Sequence, residues 1–304
     1  MKEIPGFQKF MLPLLKFASD KKEHSTNEAL EHIATEFDLT EEQQNEMLPS
    51  GNQKIFSNRV FWAKSYLKMA GLIENTKRAH FKITERGLST LQENLEEINI
   101  RYLKKFPDYV ELSESWKKGG STSEKEEELQ TPQTPEELLD SSYQDIRKTL
   151  AQDILSKIKL CSPSFFERLV VELLVKMGYG GSRTDAGKAI GRSGDEGIDG
   201  IIKEDKLGLD IIYIQAKRWE NVVGRPEIQK FVGALAGQGA KKGIFITTAK
   251  FTNDALNYIP RNETKIVLID GELLASLLID YNLGVSTQAV YELKKIDLDY
   301  FEEE

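Results

Sequence analysis

Apolar residues recur at helical spacing through the first part of the chain. Residues 5–18 carry Phe7, Phe10, Met11, Leu14, Leu15 and Phe17 close to a helical period, which predicts a helix. Ser25, followed three residues later by Glu28, has the form of a capping box. The helix it starts runs through Ala29, Ile33, Ala34 and Phe37, and Thr40 with Gln43 repeats the pattern. Residues 52–71 predict a longer helix, with Ile55, Phe56, Val60, Ala63, Tyr66, Leu67 and Ala70 inside and Gly71 as its stop. Residues 72–73 and 81–84 read as short strands around a turn at 75–79, and 84–87 lead into another helix.

The pattern changes twice after that. Residues 111–145 are rich in Ser, Thr, Glu, Gly and Pro and poor in large apolar residues, the composition of a tether. Five basic and ten acidic residues stand between Glu111 and Leu150, so the stretch could also repel DNA. Helical spacing returns at 143–159. From Ser162 onward α and β signals alternate: a capped helix to Gly178, a Gly-rich segment at 178–200, and strands at 198–202 and 211–216. A helix at 226–236, a buried strand at 243–248, a helix at 252–258, a strand at 265–269 and a helix at 271–281 complete it. This order predicts an α/β/α domain with a central mixed sheet.

Three helices followed by a basic hairpin is the winged-helix order, a helix-turn-helix variant. Charge adds to it. Between Gly51 and Arg86 the chain carries eight basic residues against two acidic ones, in a protein whose formal net charge is -8. Lys54, Arg59, Lys64, Lys68, Lys77, Arg78 and Lys82 are the candidate phosphate contacts, since basic side chains release counterions from duplex DNA. Interleaved Lys and Arg also serve simply to solvate an amphipathic helix, and a protein-interaction role for the same fold stays open. The expected class is therefore a two-domain protein, α+β followed by α/β. Residues 1–105 form a winged helix, 106–145 an acidic flexible linker, and 146–304 the α/β/α domain.

Composition narrows the chemistry. One cysteine, Cys161, rules out an intramolecular disulfide and a thiolate zinc site within one chain. No apolar run approaches the roughly 20 residues that cross a bilayer, and the interrupted N-terminus lacks a signal-peptide pattern, so a cytoplasmic protein is expected. The three histidines, His24, His32 and His80, all precede the second domain, which excludes a Ser-His-Asp triad there. Residues 187–193 lack the Gly-Lys-Ser/Thr ending of a phosphate loop. Carboxylates and a lysine remain. Asp199 lies on or beside one strand, and Gln215 and Lys217 share a face of the next because strand side chains alternate. If the two strands pair as a hairpin, the three converge at its open end. Glu167 on the preceding helix could add a carboxylate. Such a hard oxygen set suits Mg²⁺, and the lysine can stabilise charge at phosphorus. Asp195 and Glu196 are further acids with turn-forming roles as the alternative. Arg218 and Trp219 are candidates for phosphate or base contact, with packing the other role for Trp219.

By itself an Asp and a Gln-x-Lys is a weak pattern. The blocks FFERLVVELLVKMGYGG, GDEGIDGII, YIQAKRW, GRPEIQKFVGALAG and GIFITTAKFTNDA, in that order, resemble the catalytic domain of Mrr-type restriction endonucleases. That family belongs to the PD-(D/E)xK nucleases, in a form where Gln replaces the middle acid. The resemblance covers about residues 160–285, and residues 1–95 resemble the Mrr N-terminal winged helix. It implies Asp199 as main metal ligand, Gln215 in the place of the second acid, Lys217 as catalytic lysine and Glu167 as the helix acid in indirect contact with metal or water. The neutral Gln215 leaves one or two ions open.

The function expected is Mg²⁺-dependent hydrolysis of duplex DNA in a restriction system, with methylated DNA as the target that the resemblance implies. Cutting both strands requires two active sites, so a homodimer or higher oligomer is expected. The rival readings are a non-catalytic DNA-binding regulator and a structure-specific repair or junction nuclease.

Overall fold

Local caps start the helices of the N-terminal half. The structure, a computed structural model, describes residues 3–117, 133–180, 197–205, 209–258, 264–294 and 296. The chain divides into two units, Met1–Asp145 and Ile146–Lys294. In the first, a 3-10 turn at Phe7–Phe10 leads into α1 (Met11–Phe17). A strand of two residues, β1 (His24–Ser25), precedes α2 (Thr26–Glu36). Then come α3 (Glu41–Asn45), α4 (Ile55–Met69), the hairpin β2 (Ile73–Asn75) and β3 (His80–Ile83), and α5 (Glu85–Gln92). Ser25 with Glu28 and Thr40 with Gln43 form reciprocal capping boxes, each satisfying two backbone N–H groups that a helix start leaves unpaired. Gly71, at φ +68°, ends α4 in the left-handed conformation glycine adopts without strain.

The order of helices and hairpin is as expected, with β1 added. It pairs antiparallel with β3, giving the sheet order β1-β3-β2. Two residues of strand leave no periodicity to read. The core gathers Phe10, Met11, Leu14, Leu15, Ile33, Val60, Ala63, Leu67, Leu72 and Phe81, all fully buried. Phe10 meets Phe37 and Phe56 edge-on at 5.0 and 5.8 Å. Burial of each such side chain contributes about 2 kcal/mol.

The stretch expected as flexible linker differs at both of its described ends. After α6 (Ile100–Leu103), α7 (Pro107–Lys117) buries Tyr109, whose ring lies 6.1 Å from that of Tyr66 on α4. At the other end α8 (Pro135–Leu160) starts eight residues before the predicted helix at 143. Its cap is local. The Thr134 hydroxyl accepts from the Glu137 N–H at 3.2 Å, and the Glu137 carboxylate accepts from the Thr134 N–H at 3.3 Å. Thr134 is fully buried and also donates to Asn58 of α4. Acid-rich composition masked a capping box that packs. Residues 118–132 of the expected linker lie outside the described residues.

The second unit continues with α9 (Pro163–Lys176), β4 (Gly200–Lys203), β5 (Ile211–Lys217), α10 (Arg225–Gly237) and β6 (Lys242–Thr247). It ends with α11 (Asn253–Leu256), β7 (Lys265–Ile269) and α12 (Gly271–Asp280). The sheet order is β4-β5-β6-β7, antiparallel between β4 and β5 and parallel at the other two pairings, so it is mixed. Strand alternation builds two cores from one sheet. Ile212, Ile214, Ile244 and Ile246 pack on Phe166, Leu169, Leu173, Leu174, Leu274 and Leu278 of α9 and α12. Phe245, from the other face of β6, packs on Ile228, Phe231 and Leu235 of α10. Helices thus cover both faces. Among the described residues, no helix is long and apolar enough to cross a membrane.

Candidate active site

The β4–β5 hairpin positions the acid. Its register pairs Lys203 with Ile211 at the closed end and Gly200 with Ile214 at the open one. Asp199, one residue before β4, is therefore at the open end, opposite Gln215. Its N–H donates to the Ile214 carbonyl at 2.8 Å, and its Oδ2 accepts the Ala216 N–H at 2.8 Å. One carboxylate oxygen is thus used to hold the group in place, and among the described residues Oδ1 accepts no hydrogen bond.

Because Ile212, Ile214 and Ala216 enter the core under α9 and α12, Gln215 and Lys217 share the opposite face of β5 with Tyr213. Gln215 is 6% exposed. Its Nε2 donates to the Gly197 carbonyl, so the amide presents its oxygen at the other end. Gly197 sits at φ +103°, and a Cβ there would lie 2.8 Å from Gln215 Nε2. The backbone conformation favours glycine, and a Cβ would oblige the end of the Gln215 side chain to move. Lys217 closes the strand, half-buried, with its carbonyl held by the Thr247 hydroxyl at 2.8 Å and the Trp219 N–H at 3.0 Å. Its Nζ is 5.9 Å from the Trp219 ring centre, at the outer reach of a cation–π contact.

Glu167 comes from α9, whose start is set by Ser162 accepting from the Phe165 N–H at 3.2 Å and by Pro163 in the first turn. Burial pushes the Glu167 carboxyl above its ordinary 4.5. Repulsion from Asp199 pushes it further, and Lys217 pulls the other way. Asp199, at the hairpin's open end, and Lys217, on β5, are therefore both within electrostatic reach of Glu167 on α9. A like-charged carboxylate pair beside an amide oxygen is a donor set that a hard divalent cation fits, since the cation relieves the repulsion that raises Glu167.

Other expected residues fall elsewhere. Asp195, Glu196 and the segment 187–193 lie outside the described residues. Arg218 turns away from the site: Nη1 donates to the Lys159 carbonyl, and Nε is buried without a partner among the described residues. Trp219 is 37% exposed, and its carbonyl accepts from the Thr248 hydroxyl at 2.7 Å. Sequence reasoning missed Gly197, Thr247 and Thr248. The two threonines are buried supports of the β5 end that the apolar run 243–248 concealed.

The basic residues of the first unit are mostly engaged. Arg59 grips Glu137 with two nitrogens, at 2.7 and 3.1 Å, and donates to the Ile4 and Pro5 carbonyls. With side chains 14% and 5% exposed, this is a buried ion pair that engages Arg59 within the unit. Lys64 donates to the Thr26 hydroxyl at 2.9 Å, lies over the Phe81 ring at 5.2 Å, and has its pKa lowered by burial and then by Lys68. Lys54 donates to Asn45 at 2.6 Å, Lys77 pairs with Glu23 at 2.6 Å, and Lys82 pairs with Glu74 at 3.0 Å. Lys68 and Arg78 are exposed.

Comparison with known proteins places the whole chain. A family described as restriction endonuclease matches residues 158–278, and the Mrr N-terminal domain matches residues 7–93. The type IV methyl-directed restriction enzyme EcoKMrr of Escherichia coli (strain K12) is 37% identical over 313 aligned positions, covering 98% of this chain and 99% of that one. Two solved structures are more distant. The DNA modification-dependent restriction endonuclease AspBHI is 16% identical, with TM-score 0.33, over 67% of this chain and 52% of its own. The MspJI restriction endonuclease in complex with a 27-mer oligonucleotide is 16% identical, with TM-score 0.28, over 68% and 51%. The match spans about half of each of those two chains, and likeness at that level carries no argument. With both of its halves matched and 37% identity to one relative over nearly the full length of both chains, this chain belongs to the Mrr family of restriction endonucleases.

Proposed function

We propose that this member of the family cuts methylated duplex DNA with Mg²⁺ as its cation. The N-terminal winged helix, residues 1–105, holds the duplex, and the α/β/α domain, 146–304, hydrolyses it. The observation that carries the reading is the electrostatic meeting of Glu167, Asp199 and Lys217 at the open end of the hairpin, beside the buried amide of Gln215. Asp199 Oδ1 and Gln215 Oε1 are the groups that would hold the cation. When bound, Mg²⁺ supplies polarisation of the scissile phosphate and a more acidic water.

The remaining work belongs to the side chains. Lys217 places a positive charge beside the phosphate, where negative charge grows during displacement. Glu167, whose carboxyl holds its proton more strongly than an ordinary glutamate, sits where it can accept a hydrogen bond or a proton from water. Methyl direction comes to this chain from its relative, which is named for it. Cleavage of both strands needs two such sites, so the working form is at least a dimer, acting in the cytoplasm.

The test is cleavage of one plasmid, methylated or not, by the full chain with Mg²⁺. Double-strand breaks are expected in the methylated plasmid. Lys217→Ala is expected to lose at least ~100-fold in rate while still binding DNA. If no plasmid is cut, the chain is a non-catalytic DNA binder; if Lys217→Ala cuts like the wild type, cleavage does not depend on this site. Cutting confined to branched substrates would make it a junction nuclease.

A further inference from the structure

We infer that Phe61 reads a methyl group on a base edge in the major groove. The inference rests on the reading of the N-terminal unit as a duplex binder. Helix α4 buries Phe56, Val60, Ala63 and Leu67, and its half-buried Ile55, Trp62, Tyr66 and Met69 pack on the same core. Phe61 does not join them and is 40% exposed. It is a large apolar side chain that stands outside the packed core of the unit.

Its surroundings are not apolar. At about 100° per residue, Ser57, Phe61, Ser65 and Lys68 fall on one outer stripe of α4, with Lys54 and Lys64 along it. Two serines, one turn to either side, leave the ring standing above its neighbours. The three lysines rim it with positive charge. Lys64 is tethered to Thr26 and Lys54 to Asn45, while Lys68 extends into solvent. An aromatic ring inside a basic rim, on the helix that precedes the hairpin, suits a polyanion that also offers an apolar feature. Duplex DNA is the occupant of that chemistry, because lysines meet phosphates while the helix enters the major groove.

The apolar features there are methyl groups. Thymine carries one at C5, and methylation adds one at cytosine C5 or adenine N6, each projecting into the major groove. A phenyl ring cannot read donors and acceptors, but it gains by removing a methyl from water. Burial of one methyl corresponds to about a 4-fold preference.

The experiment measures binding of the full chain by fluorescence anisotropy, without divalent cation. It uses duplexes that differ in one feature: cytosine or 5-methylcytosine, deoxyuridine or thymidine, adenine or N6-methyladenine. The wild type is expected to prefer the methylated member of at least one pair by about 4-fold. Phe61→Ala is expected to bind the unmethylated members as the wild type does and to lose the preference, whereas Phe61→Leu keeps part of it. Unfolding of all three should coincide, since the ring is not in the core. The pair that responds identifies which methyl is read. Retention of the preference by Phe61→Ala overturns the inference and leaves methylation-dependent cleavage standing. So does a wild type that cuts methylated plasmid yet binds every duplex alike. Loss of self-association in Phe61→Ala, with the preference intact, would make this face a contact between copies. A wild type that binds no duplex sinks the DNA role of the N-terminal unit as well.

Discussion

The candidate DNA-facing residues of the first unit and the candidate active site of the second treat charge in opposite ways. In the first, unlike charges meet: Arg59 with Glu137, Lys77 with Glu23, Lys82 with Glu74. In the second, like charges meet: Glu167 and Asp199 are near enough for one to raise the other, and a polar amide is buried beside them. Unlike charges held together neutralise one another within the unit. Like charges held together are costly unless something else comes to join them. The contrast separates residues that build a unit from those that act, although both sets are the same residue types in the sequence.

The sharpest way to break the contrast is to treat Arg59 and Lys68 alike. Arg59→Ala leaves Glu137 buried with its charge uncompensated, a loss of roughly 3–5 kcal/mol. Urea unfolding of the free chain should show the N-terminal unit melting well before its wild-type midpoint. Lys68→Ala, on the outer stripe of α4, should leave unfolding within ~0.5 kcal/mol and lower the salt dependence of DNA binding by about one counterion. If Arg59→Ala instead lowers the salt slope and leaves unfolding unchanged, the pair with Glu137 is not structural.

A smaller effect distinguishes glycines. Gly197 and Gly51 both have positive φ, +103° and +72°. A Cβ at Gly51 meets nothing within 4 Å, whereas at Gly197 it meets the Gln215 amide. Either alanine costs about 1–2 kcal/mol in backbone strain. Gly197→Ala alone should also displace Gln215 and slow plasmid cleavage about 10- to 100-fold, with DNA binding kept. Equal cleavage by the two variants would mean that Gln215 does not need its bond to the Gly197 carbonyl.

What could be read from the sequence follows the range of each interaction. The capping boxes at Ser25 and Thr40 involve residues three apart, and they were legible. Thr134 and Glu137 have the same spacing and were passed over, because the surrounding composition spoke for a tether. Period two put Gln215 and Lys217 on one face, but the bond from Ala216 N–H to Asp199 depends on strand register across 17 residues. The role of Glu167 came with the family resemblance, since a helix acid has no spacing that ties it to a hairpin. Arg59 pairs with a residue 78 positions away, which no local pattern shows. Its place off the outer stripe of α4 was nonetheless available: two residues from Phe61, it lies about 200° around the helix from that ring. Gly197's conformation and the two-residue β1 left no signal of their own.

The smallest expected effect concerns Glu167, and it tests the like-charge half of the contrast directly. Its carboxyl titrates above 4.5, first because it is partly buried and second because Asp199 is negative. A raised acid pKa stabilises the fold fully below pH 4.5, and that stabilisation is lost as pH rises through the folded value. Asp199→Asn removes the repulsion but not the burial. Glu167 should then titrate lower than in the wild type yet still above 4.5, and the pH-dependent loss of stability should shrink. Lys217→Ala removes the opposing attraction, so Glu167 should titrate higher. Mg²⁺ should lower it in the wild type, because a cation at the site favours the ionised form. Carboxyl-carbon NMR of selectively labelled glutamate reads all three shifts. If Asp199→Asn and Lys217→Ala both leave the Glu167 resonance unmoved, the three groups are not neighbours, and the site is a hairpin triad without its helix acid.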